Sequence, residues 1–122
     1  MTYDPDHPPN AAAWLALSAQ ERLAAVRAAH EDVGPWHPDP RGMHAGLHVT
    51  VENQIAAGEP AQVTRKVQEL QELGLRRHAV IHAVAKVFLA QLAQNNASDR
   101  ALDPAEYAAA VSRLDAAAVI GS

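Results

Sequence analysis

Apolar residues along this chain recur at intervals of three and four, the spacing of one helix face, and the pattern predicts helices and no strand. Val63, Val67, Leu70 and Leu73 form the stripe of a helix predicted from about Pro60 to Leu73, closed by Gly74. Val80, Ile81, Val84, Val87, Phe88 and Leu92 mark a helix over about Arg76 to Gln94, the most hydrophobic and therefore expected to be central. Leu23, Val26 and His30 lie at helical spacing on the inner side of an earlier helix. The boundaries carry their own signals. Asn10 is placed to cap a short helix, Ala11 to Leu17, and Ser18 with Glu21 has the form of a capping box opening the next. A third helix runs from about Met43 to Ala57, stopped by Gly58 with Pro60 shortly after. Asp103-Pro104-Ala105-Glu106 combines a cap, a first-turn proline and an acidic third position, and opens a last helix reaching about Val119. The expected fold is all-α, a compact helical bundle of about five to six helices without a sheet.

Two stretches fall outside this pattern. Residues 1–9 hold three prolines and two aspartates among few apolar groups, and read as a mobile N-terminal lead to a single domain over 10–122. Val33 to Gly42, with Gly34, Pro35, Pro38 and Pro40, reads as an irregular connection.

Composition narrows the chemistry. The chain has no cysteine, which excludes disulfides and thiolate metal sites, so any metal is held by nitrogen and oxygen. A net charge of -4 and a pI near 5.9 leave no electrostatic footprint for nucleic acid. Arg76-Arg77, the only basic cluster, reads as a helix's solvated first turn. The first residues lack the charged and apolar regions of a signal peptide, and the apolar stretches are too interrupted to span a membrane. A cytoplasmic setting is expected.

The candidate chemistry lies in seven histidines and one carboxylate. A helix turns about 100° per residue, so positions four apart share a face about 6 Å apart along the axis. His78 and His82 have that spacing, and His48 has it with both His44 and Glu52. Imidazole and carboxylate are the usual ligands of zinc, iron and manganese. Two such helices facing each other would gather four or five ligands. The competing reading is a buried polar network in which Glu52 accepts hydrogen bonds from the histidines. His44 and Glu52 are about 12 Å apart along their helix, too far for one ion. Either one of them supports the ligands from behind, or two ions are held by His44, His48, His78, His82 and His30, with Glu52 bridging or capping. His7 and His37, in proline-rich segments, are expected at the surface.

The strings Val51-Glu52-Asn53-Gln54 and Gly74-Leu75-Arg76-Arg77-His78-Ala79-Val80-Ile81-His82-Ala83 resemble the signature of a family of small bacterial helical proteins of unassigned function. That signature reads approximately H-x-x-x-H-x-x-V-E-N-Q and G-L-x-R-H-E-A-I-H-A-I. Ala13 to Leu17, Glu21-Arg22 and His30 resemble its front end, so the likeness extends from about Ala13 to Leu92. Where the family has Glu, this chain has Ala79. With Glu there, the string would be the H-E-x-x-H arrangement in which two histidines hold zinc and the Glu is general base. The resemblance thus implies a hydrolase-like metal protein that lacks that base, with Glu52 as the candidate replacement. A looser similarity to hemerythrin-like bundles, through His30, His48-x-x-x-Glu52 and His78-x-x-x-His82, implies an oxygen or redox site with two ions instead. The expected cofactor is a divalent metal, zinc first, with iron and manganese as alternatives. The expected partners are a small-molecule or peptide substrate, with a homodimer open.

Overall fold

The computed structural model describes residues 2–30, 43–97 and 101–120, the side chains of His30 and Met43 excepted. The described residues form seven helices and no strand: α1 (Ala11–Ala16), α2 (Ala19–His30), α3 (Met43–Ala57), α4 (Ala61–Glu72), α5 (Arg77–Ala97), α6 (Pro104–Ser112) and α7 (Ala116–Ile120). None of these helices is long and apolar enough to cross a membrane.

The capping residues act as their positions imply. The Asn10 side chain accepts from the Ala13 amide, and Ser18 and Glu21 bond each other's backbone reciprocally at 2.9 and 3.1 Å. These contacts satisfy amide donors that the first turn of a helix leaves open. Asp103 accepts from the amides of Ala105 and Glu106. Gly58 and Gly74 end α3 and α4 at φ +72 and +92, a left-handed conformation that a side chain would disfavour.

Three expectations are corrected. The single last helix is two, because Arg113 closes α6 and the Asp115 side chain caps a new start by accepting from the Ala118 amide. Pro60 precedes α4 as its cap rather than opening it, and Leu73 is exposed beyond the end of the stripe. The N-terminal residues are tied down rather than loose. Tyr3 is buried against Trp14, Asp6 receives Arg76 at 2.6 Å, and the Pro5 carbonyl accepts from Arg77 at 3.1 Å. An apolar count misses this attachment, because one aromatic ring and a handful of polar contacts make it.

Helix α3 organises the bundle. It packs against α1 and α2 on one side and against α4 and α5 on another, while α5 also meets α4, α6 and α7. Two cores follow from this. Val51 of α3 joins Val63, Val67, Leu70, Ile81 and Val84 in the larger. Ala45 of α3 joins Tyr3, Trp14 and Val26 in the smaller. A helix buried on two sides has no single apolar stripe, which frees interior positions on α3 for polar groups.

Three consecutive polar residues lock α3 in place. They project about 100° apart around the helix, so each reaches a different neighbour. Glu52 meets Arg77 of α5, Asn53 accepts from Trp14 Nε1 and Arg22, and Gln54 accepts from the Tyr107 hydroxyl of α6. Arg22 adds bonds to the carbonyls of Trp14 and Leu15, which fastens α2 to the end of α1.

Burial of Tyr107 pushes its hydroxyl up to about 12. The folded state therefore holds this proton more tightly than the unfolded chain. Stability should be intact below pH 10 and fall as the pH rises from about 10 through about 12. Phenolate absorbance and helical circular dichroism, followed together in an alkaline titration, check this. Full ionisation of both tyrosines near their ordinary value, with the helices still intact, would contradict it.

Candidate metal centre

Helices α3 and α5 bring four histidines into one cluster. Ring centroids lie 4.4 Å apart for His78 and His82, 4.6 Å for His44 and His82, and 4.8 Å for His48 and His82. The remaining neighbours, His44 with His48 and His48 with His78, are each at 5.1 Å. The i, i+4 spacing on each helix puts both pairs at the seam where α3 meets α5, and His48 faces both members of the other pair. His48 is fully buried and the other three are partly so, yet the Nε2 atoms of all four are shielded from solvent.

Three of the four could hold a metal ion. His44, His48 and His82 each offer a ring nitrogen, and these three atoms lie within 4.8 Å of one another. An ion bonded at about 2.0–2.1 Å to each, the distance usual for zinc, would require these atoms to draw closer together. His78 adjoins this triad through His48 and His82. The side chain of His30, the remaining candidate ligand, lies outside the described residues, as does the whole of His37. His7 is at the surface as expected, paired with Asp4 at 2.8 Å.

Glu52 has other partners. Arg77 donates to both of its carboxylate oxygens, each bond 2.7 Å long, and Tyr3 donates to Oε2 at 2.5 Å. The ion pair is almost wholly buried, with side-chain exposures of 2% for Arg77 and 0% for Glu52. A carboxylate held at both oxygens by a guanidinium fork is a poor ligand and a poor base, because both oxygens are engaged and its charge is already compensated. Burial alone would lower the Arg77 guanidinium, but hydrogen bonds and charge from Glu52 outweigh it and hold it above its ordinary value. Burial foremost, then the Glu52 charge, keeps the Tyr3 hydroxyl protonated well past the usual phenol range.

Arg77 and Tyr3 are the residues that sequence reasoning missed. Arg77 belongs to the stretch expected as a solvated first turn; it is 3% exposed, whereas Arg76 beside it is the solvated one. A usable signal exists. Glu52 sits directly after Val51 on a helix with apolar neighbours, and a buried carboxylate requires a countercharge. The basic pair beside the histidine motif can supply one, although nothing local distinguishes Arg77 from Arg76. Tyr3 offers no such signal, since its partner is 49 residues away.

Ala79 also reads differently in three dimensions. It is exposed on α5, so a carboxylate there would begin from the solvent side of the helix. A cavity of about 210 Å³ does open beside the cluster, lined by His44, His48 and His82 together with Leu47, Ala85, Leu89 and Lys86. Ala79 is not part of that lining, and neither is Glu52. Asp6 supports the start of α5 from the other side, accepting from the His78 amide at 3.2 Å. Burial works to raise its carboxyl, but the bonds from Arg76 and His78 prevail and hold it below the usual carboxylate range.

Comparison with known proteins gives one match. The family described as "Domain of unknown function (DUF1841)" aligns with residues 37–113, more than half of the chain. That span contains His44, His48, Glu52, Arg77, His78 and His82, and it leaves Tyr3 outside. No curated protein and no solved structure matches the chain.

Proposed function

The chain belongs to the DUF1841 family, whose description assigns no activity, and from its histidine cluster we propose that it binds a divalent metal ion through His44, His48 and His82. The placement of three ring nitrogens within 4.8 Å of one another, in a cluster whose Nε2 atoms are shielded from solvent, supports this reading. His78 completes the shell as a fourth ligand or borders it. Zinc suits an all-nitrogen set of three or four histidines, and the absence of cysteine does not weaken that choice.

The cavity favours a reactive ion over a purely structural one. A closed structural site surrounds its metal with protein ligands, whereas a catalytic site keeps one position open. His44, His48 and His82 all border the cavity, so a small molecule entering there would meet the centre directly. The ion would supply Lewis acidity to an oxygen of that molecule, the basis of metal-assisted hydrolysis. Leu47, Ala85 and Leu89 suit an apolar body on such a ligand, and Lys86 suits an acidic end. Glu52 acts in this reading as a support behind His48 and takes no part as base or ligand. A two-ion oxygen site would use that carboxylate to bridge or cap the ions, and Arg77 already engages both of its oxygens.

The test is the metal itself. Protein purified without a histidine tag should carry one ion per chain by elemental analysis. Exchange with cobalt(II) should produce the visible absorption of a low-symmetry, nitrogen-rich site, and His44→Ala should weaken it. Protein that stays metal-free after equilibration in zinc, with no cobalt spectrum, would leave the cluster as a buried polar network.

A further inference from the structure

Tyr3 reaches two groups through one oxygen. It donates to Glu52 Oε2 at 2.5 Å, and the same oxygen lies 3.3 Å from His48 Nδ1. The hydroxyl has a single proton, and the carboxylate is both the closer and the stronger acceptor, so that proton belongs to Glu52. Tyr3 then presents only lone pairs to His48. A bare Nδ1 lone pair facing them would be repelled, whereas an Nδ1–H group would be held. We infer that the N-terminal arm is a working part of the histidine centre, with Tyr3 as a positioning residue that keeps the His48 proton on Nδ1 and leaves Nε2 as the coordinating nitrogen.

The rest of the arrangement serves this contact. Arg77 fixes both oxygens of Glu52, so Oε2 cannot swing away from Tyr3. It also donates to the Pro5 carbonyl, so the same guanidinium anchors the arm two residues further on. Asp6 clamps the far end between Arg76 and the His78 amide. The Tyr3 ring packs on Trp14 with centroids 5.7 Å apart, which orients the phenol. A ligand histidine commonly donates its second nitrogen to an oxygen that sets tautomer and ring orientation. Here the donation would pass through a phenol to a charge-paired carboxylate, from a segment that the family match does not reach. Linkage requires reciprocity: if the docked arm favours metal binding, the metal must favour the docked arm.

The tautomer half of this inference stands on the hydrogen bonds alone, and the affinity half rests on the metal reading, so two measurements separate them. Imidazole 15N NMR of the metal-free protein should find His48 protonated at Nδ1, and Tyr3→Phe, which keeps the ring against Trp14, should move the proton to Nε2 or leave a mixture. Zinc titration of the same pair should show affinity lower by about 10- to 100-fold in Tyr3→Phe, the usual cost of losing such a supporting group. Tyr107→Phe, which loses its hydroxyl at the far side of α3, should leave zinc affinity unchanged. Asp6→Ala loosens the arm without touching the Tyr3–Glu52–His48 chain and should weaken zinc in the same direction. Proteolytic cleavage within residues 2–9 should slow when zinc is added. A His48 tautomer indifferent to Tyr3→Phe would overturn the inference whatever the metal result. If wild type binds no zinc while the tautomer shifts as expected, the positioning contact stands and the metal reading fails.

Discussion

Saturating zinc should raise the melting temperature of the wild-type protein by roughly 10 °C or more, and His82→Ala should abolish the rise. His82 is the hub of the cluster, within 4.8 Å centroid distance of His44, His48 and His78. An ion shared with His44 and His48 would therefore crosslink α3 and α5, the helices that border the larger core. Binding to the native state alone adds RT ln(1 + [L]/Kd), about 4 kcal/mol at a thousandfold excess over Kd. For a domain of this size each kcal/mol moves the midpoint by several degrees. A chelator should remove the gain. His7→Ala, at an exposed position outside the cluster, should leave it in place. A melting curve that responds to neither chelator nor His82→Ala in zinc-replete buffer would show that the cluster holds no ion.

How much of this was legible in the sequence depends on the range of the interaction. Caps and stops act over three or four residues, so Asn10, Ser18–Glu21, Gly58, Gly74 and Asp103 could be read directly. The i, i+4 histidine pairs were legible for the same reason, because one helical turn fixes their shared face. The Asp115 cap was equally local and was still missed, because an alanine-rich run hides a break in an apolar pattern. Partner choice is the harder problem. Nothing within ten residues of Glu52 indicates that Arg77 rather than His78 will meet it. A shift of one residue along α5 turns the side chain by about 100°, so the identity of the partner follows from how α3 and α5 settle against each other. The role of residues 2–9 was least accessible, since its anchors are single contacts to positions 45 to 72 residues away.

Arg77→Met should be among the most damaging single substitutions in the protein, costing about 3–5 kcal/mol, the usual result of leaving a buried charge without its partner. Its target, the Glu52 carboxylate, has no exposed side-chain surface and would retain, among the described residues, only Tyr3 as a donor. A small domain has about 5–15 kcal/mol in total, so the variant should sit near the edge of folding. The cause of the loss can be isolated. If it is the stranded charge, adding Glu52→Gln to Arg77→Met should recover most of it, because neither buried group then carries charge. If the loss is only missing guanidinium packing, the second substitution should recover nothing. The half-exposed pair Lys66–Glu69 provides the contrast. Its N–O distance is 2.6 Å, but the Glu69 side chain is 59% exposed, and breaking that pair should cost well under about 1 kcal/mol. Urea unfolding of the four members of the Glu52/Arg77 cycle gives the coupling energy directly. A value near that of Lys66–Glu69 would mean that water or a rearranged neighbour compensates Glu52. The double variant carries a further consequence for the histidine centre. The neutral amide introduced by Glu52→Gln is a weaker acceptor than a carboxylate, so Tyr3 would no longer be held to one orientation. Zinc affinity should then stay reduced even where folding stability has been regained, which separates the pair's part in the fold from its part behind His48.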